Sequence, residues 1–288
     1  MKKIDISQFG KGAIEKPFSY KDYRFERTGF ATADLEDFDL EPYLNVPESQ
    51  GRSLSCVAQE VGGYAEGLNT IETGTKEKFS KRALYSEVKE PNGGVWTTKA
   101  VEFWQNNGMF YEKDFADYDN GNPPSEAFMS QKTNPTHAQR EEAKKYLCGK
   151  YTTWKNTNFE IYRQAIKAGK GALVVVYGSN PSWASAYIEK PPLKKEDCPW
   201  SHQILLVNSK PVIKNGKEYL KFRNSWNGWG DKGYGYIGRD YLESGLCVCP
   251  LTVVDVPNET YIKLTSQIQN ILEQMIRILK EKIAKLIK

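Results

Sequence analysis

At 288 residues, with 39% hydrophobic and 26% charged residues, the chain can bury one large core or two modest lobes and has the balance of an ordinary soluble globular protein. The formal net charge of +4 argues against nucleic acid as a partner, and all of it resides in residues 262–288, where six Lys or Arg face two Glu. No apolar run approaches the roughly 20 residues needed to span a bilayer, the start lacks a signal-peptide core, and the five cysteines are too irregularly spaced for a disulfide framework, so a cytoplasmic protein is expected.

Residues 1–49 are punctuated by prolines and acids and carry aromatic anchors such as Phe18, Tyr20, Tyr23 and Phe25. They read as an extended arm laid on a surface. From Ser55 to about Leu68 the spacing of Val57, Val61, Tyr64, Ala65 and Leu68 predicts a helix. Lys99–Gln105 and Gln139–Leu147 are two further predicted helices, and Phe159–Ala168 is another, closed by Gly169. A strand is expected from Ala172 to Tyr177, then strands at 203–207, 212–213, 219–224 and 234–237, with Asn215-Gly216 as a hairpin turn. Helices first and an antiparallel sheet second predict an α+β protein of two lobes.

Three residue types in this order suggest chemistry. Cys56 stands where the first long helix begins, and a helix N-terminus stabilises a thiolate. His202 enters an apolar strand, where an imidazole is costly unless it is paired. Asn224 ends another apolar run 22 residues later and offers an oxygen to a ring N–H. Gln50, six residues before Cys56, offers an amide N–H to an oxyanion. Each has a plainer explanation: a buried cysteine is most often packing, and a lone strand histidine is usually structural. Asn92-Gly93-Gly94 is equally ordinary turn chemistry. The conjunction is what is specific.

Here the sequence resembles the papain family of cysteine peptidases. Gln50-Gly51-Arg52-Ser53-Leu54-Ser55-Cys56 is similar to the family's Gln-Gly-x-x-x-Ser-Cys segment, and Asn92-Gly93-Gly94 to the loop that lies beside the substrate backbone. Ser201-His202 resembles its histidine strand, and Asn224-Ser225-Trp226 with Gly228-Trp229-Gly230 and Gly233-Tyr234 its most diagnostic signature. The resemblance covers roughly residues 40–255 and implies a papain-like fold, with a helical left lobe and an antiparallel sheet or barrel as the right lobe. It implies Cys56 as nucleophile, His202 as acid and base, Asn224 as orienter, Gln50 as oxyanion donor and Trp226 as a shield over the His–Asn bond. Gly93, Gly94, Gln203 and Trp229 are then substrate-side residues, and no cofactor or metal is called for. The implied division is an arm at 1–39, a peptidase domain at 40–258 and an amphipathic helical extension at 259–288.

The sequence also departs from the family. Ser53 stands where a disulfide cysteine is usual, and Val57 replaces a Trp. Gln203 takes the place of a small residue and is expected to narrow the pocket for the residue two before the scissile bond. The Trp226–Trp229 segment is one residue short, and the usual long helical pro-region is absent. Two alternatives stay open: an inactive papain-fold binding or structural module, and a Cys-His amidase acting on cell-wall peptides or amide conjugates. Cys148, Cys198, Cys247 and Cys249 read as structural. Residues 262–288 carry apolar side chains at helical spacing and four distal lysines. Self-association is favoured for them, ahead of an anionic membrane surface and of docking on their own domain.

Overall fold

The structure, a computed structural model, describes residues 5–16, 24–25, 30, 33–155 and 158–254. The chain divides into Met1–Val254 and Asp255–Lys288, so the amphipathic pattern of the tail lies outside the described residues.

In chain order the elements begin with β1 (Ala13–Ile14), α1 (Cys56–Thr73), α2 (Lys81–Val88), β2 (Val95–Trp96) and α3 (Thr97–Asn107). There follow α4 (Glu126–Met129), α5 (His137–Ala143), β3 (Lys150–Thr153), α6 (Phe159–Gly169), β4 (Ala172–Gly178) and β5 (Tyr187–Ile188). The last are β6 (Trp200–Leu206), β7 (Val212–Lys214), β8 (Lys217–Arg223), β9 (Tyr234–Gly238), α7 (Arg239–Leu242) and β10 (Cys247–Val254).

Local chemistry sets the ends. α1 stops at Gly74, whose φ of 72° reverses the chain while its N–H bonds Thr70 O at 2.9 Å. Ser80 caps α2 by accepting from the Ala83 N–H, and a reciprocal box of Thr136 and Gln139 starts α5 two residues before the predicted point. Asn215-Gly216 makes the expected turn between β7 and β8, with φ of 51° and 73°. β1, α2, β2, α4, β3, β5, α7 and β10 have no counterpart among the expected elements. In α2 the first residue, Lys81, is a buried cation with Glu66 at 2.5 Å and Glu48 at 3.1 Å, so its burial carries no apolar signal. In β10, Pro250 and the positive φ of Cys249 (48°) mark an irregularity in the pairing with β4, which breaks the alternation a strand should show.

The large sheet runs β3-β10-β4-β6-β8-β9-β5, with β7 beside β8, and is antiparallel except for the β5–β9 pair. A second, two-stranded sheet joins β1 to β2 in parallel. One apolar core gathers around α1 from Val57, Val61, Tyr64, Phe79, Leu84, Trp104 and Leu205. The other lies on the sheet's second side, with Val174, Ile204, Leu206, Leu220, Trp183, Trp226 and Trp229. This is the expected α+β arrangement of two lobes. A buried ion pair between Glu60 on α1 and Arg223 on β8, at 2.9 Å, fastens the helix to the sheet. Burial pushes the Glu60 carboxyl up to about 7 against the pull of Arg223. Among the described residues no helix is long and apolar enough to cross a membrane.

Candidate active site

α1 begins at Cys56, and β6 carries His202 in register with Val176 on the neighbouring strand. Asn224 follows the last residue of β8, and its Oδ1 lies 2.8 Å from His202 Nε2. That bond holds one edge of the ring. The other nitrogen, Nδ1, has no hydrogen-bond partner although the residue is fully buried. Trp226 stacks on the imidazole with centroids 4.4 Å apart and a 27° tilt, closing the His–Asn bond from solvent. Burial lowers the His202 pKa to about 3; the Asn224 bond works the other way, and the Lys11 ammonium adds to the depression. Burial likewise pushes the Cys56 thiol up to about 11, against the N–H groups of Gly12, Gln203 and Val57.

Gln50 is locked. Its Oε1 accepts from Ser225 Oγ at 2.6 Å, and its backbone N–H bonds Ser225 O at 2.9 Å. The side-chain Nε2 is left to donate to Gly10 O and Ser53 O, both at 2.9 Å. The carbonyl of Gly10 belongs to the N-terminal arm, and here the arm proves to be more than a strap on a surface: it runs through the site. Gly12 N–H donates to Cys56 Sγ at 3.3 Å, Val95 N–H to Gly12 O at 2.9 Å, and Ser201 Oγ to Ala13 O at 2.6 Å. Phe9 stacks on Trp226 with centroids 5.5 Å apart. Lys11 Nζ donates to Ile6 O and Phe9 O at 2.8 and 2.9 Å and stands 5.4 Å from the Trp226 ring. A Cβ on Gly10 would lie 1.9 Å from Ser53 O, and one on Gly12 2.1 Å from Leu54 O, so only glycine fits at either place.

The other predicted positions fall around this track. Gly93 and Gly94 have φ of 82° and 75°, and a Cβ on Gly94 would lie 2.5 Å from Gly12 O, so the loop's backbone lies against the arm. Gln203 is buried beside the sulfur, its Oε1 accepting from Thr97 Oγ1 at 2.6 Å and its Nε2 donating to Ile204 O at 3.0 Å. Beyond Thr97 a cavity of about 240 Å³ opens under Ile14, walled by Tyr162, Cys247, Val248 and Cys249. Trp229 is 1% exposed and stands behind Trp226, its Nε1 bonded to Trp183 O at 2.9 Å. Among the described residues the carboxylates that gather closely enough to hold a cation are Glu48, Glu112 and Asp117, and Lys78 and Lys81 already serve them.

Sequence reasoning overlooked two supports. Glu126 Oε2 accepts the Leu54 N–H at 2.7 Å, and its Oε1 accepts from Tyr85 Oη at 2.8 Å. Tyr85 Oη in turn accepts the Gly94 N–H at 3.2 Å. One carboxylate therefore positions both the segment entering Cys56 and the double-glycine loop. No motif signals this, since the three residues are far apart in sequence. The arm's path left a fainter trace: two glycines, Gly10 and Gly12, flanking a lysine in a stretch otherwise rich in large side chains.

A cysteine at a helix start facing a histidine strand, with an asparagine behind the ring, defines a two-lobe thiol-protease fold. Solved structures share it. A cysteine protease from Xylella fastidiosa, xylellain, superposes with a TM-score of 0.70 at 19% identity, over 86% of this chain and 97% of that one. Digestive procathepsin L2 from Tenebrio molitor larval midgut gives 0.66 at 16% identity, over 87% and 79%. Procathepsin B S9 from Trypanosoma congolense gives 0.64 at 14% identity, over 86% and 87%. No curated protein sequence matches the chain. The profile of the papain family cysteine protease matches residues 36–252, and the chain belongs to that family. It is a cysteine peptidase, a hydrolase acting on polypeptides.

Proposed function

We propose that the chain is a cysteine endopeptidase held latent by its own N-terminal arm, with Cys56, His202, Asn224 and Gln50 as its working residues. Once the arm is displaced, the Cys56 proton passes to His202 Nδ1 and the sulfur attacks the substrate carbonyl carbon. The carbonyl oxygen takes up the charge and is held by Gln50 Nε2 and the Cys56 backbone N–H. His202 then protonates the departing amine as the C–N bond breaks, leaving a thioester. Water, losing a proton to His202, adds to that carbonyl and releases the acid and the free thiol. Asn224 keeps the ring turned so that Nδ1 faces the sulfur. Trp226 covers the bond between them.

The observation that carries latency is the atom opposite the sulfur. It is the Gly12 N–H, a donor, while the arm carbonyl on Gln50 belongs to Gly10, two residues earlier. Among the described residues of the arm no carbonyl carbon is held both over the thiol and on the oxyanion donor, so this stretch fills the site without presenting a bond to cleave. Replacing Gly12 with Leu collides with the Leu54 carbonyl and should expel the arm. The full-length Gly12→Leu chain is expected to add one thiol-directed epoxide at Cys56 and to hydrolyse peptides, at least tenfold faster than wild type. Equal labelling of the two chains, or labelling at Cys148 or Cys247 instead, would defeat the proposal.

Residues 262–288 we assign to association, with another copy of the chain favoured over an anionic lipid surface. The support is their apolar spacing and basic far end.

A further inference from the structure

Beyond Ala13 the arm sets the carboxylate of Glu15 against β4. The carboxylate of Glu15 accepts from Tyr177 Oη at 2.9 Å and pairs with Lys195 Nζ at 2.5 Å. Tyr177 lies in β4 opposite Ser201, the residue whose hydroxyl holds Ala13 O, and Lys195 stands 5.2 Å from the Tyr177 ring. Hydroxyl and ammonium thus converge on one point, two residues along the arm from a backbone held between Gly94, Val95 and Ser201. Among the described residues Lys195 makes no other ion pair and Tyr177 Oη no other hydrogen bond.

We propose that Tyr177 and Lys195 form a carboxylate subsite of the peptidase, which Glu15 occupies in the latent chain and an acidic side chain of the substrate occupies in the active one. The inference rests on the peptidase function proposed above. Release of the arm strips an ammonium and a phenol of their shared acceptor beside the track that holds a backbone. An acidic substrate residue restores both contacts, whichever direction its backbone runs, because the subsite is made of side chains. A neutral residue restores only the phenol's bond. Lys195 and Glu15 are each about one-third exposed, so the preference is moderate, on the order of fivefold.

The test uses the full chain carrying Gly12→Leu and a peptide series in which a single Glu, or its isostere Gln, is walked through the four residues before the scissile bond. At one position kcat/KM for Glu is expected to exceed that for Gln by about fivefold. Lys195→Ala should bring that ratio to about one, Tyr177→Phe should lower it, and high salt should shrink it in the unmutated subsite. Equal turnover of Glu and Gln peptides at every position overturns the subsite and leaves the peptidase intact; so does a Glu preference that survives Lys195→Ala. Failure to cleave any peptide, with Cys56 accessible to alkylation, would instead sink the peptidase function and the subsite with it.

Discussion

The His202 ring is held on one edge and free on the other, and that asymmetry is what a proton shuttle needs. Nε2 is tied to Asn224 and Nδ1 is buried without a partner, so in the proposed mechanism Nδ1 is the nitrogen left to take the Cys56 proton. In a chain released by Gly12→Leu, His202→Ala is expected to lower kcat/KM at least about 100-fold, the usual worth of general acid–base catalysis. Asn224→Ala, which removes only the orienting oxygen, should cost less. Peptide hydrolysis kinetics decide this. Near-normal turnover by His202→Ala would move the base elsewhere, and the only other histidine, His137, is exposed on α5. These residues were legible in sequence because chemistry restricts their types and order. Glu126 and Tyr85 were not, because a carboxylate accepting backbone N–H groups across the fold leaves no local pattern.

At the scale of elements, the arm is the piece whose role the sequence concealed, and the reason is physical. Its contacts with Cys56, Gln50, Val95 and Ser201 are made by backbone atoms of Gly10, Gly12 and Ala13, which any sequence possesses. α2 was hidden differently, by a buried lysine at its start. The arm's closure also couples to acid. Burial, with the arm's Lys11 adding to it, lowers the His202 pKa to about 3, and exposure on release of the arm is expected to return it towards the ordinary 6.5. A depressed value means that the closed form refuses a proton the open form accepts. Closure is therefore at full strength above about pH 6.5 and weakens about tenfold for each pH unit below it, until pH approaches 3. Amide exchange reports this at Gly12 and Val95, whose N–H groups close the contact. Their protection, corrected for intrinsic rates, is expected to fall more than tenfold between pH 7 and pH 5. A flat profile would show that the ring stays covered when it is protonated.

For the whole molecule, the two lobes could be read from helices preceding an antiparallel sheet, and the site between them from four polar residues that apolar runs alone do not explain. Strand pairing supplied what the sequence could not: it sets Tyr177 beside Ser201 and so places a phenol next to the cleft. Residues 262–288 fall in a second unit of the chain, and their sequence pattern carries its own expectation. Their apolar side chains, about ten of them from Leu264 to Ile287, recur at helical spacing, and burying each contributes on the order of 1.5–3 kcal/mol. A helix so apolar on one broad side finds a partner. With a second copy as that partner, the full chain is expected to sediment as an oligomer and a chain ending at Asn258 as a monomer, with peptide hydrolysis little changed. Co-sedimentation with anionic vesicles, reversed by salt through Lys280, Lys282, Lys285 and Lys288, would assign the segment to lipid instead. A full-length monomer that ignores vesicles and melts at a lower temperature when truncated would rule out both, because the apolar side must then be buried against its own chain.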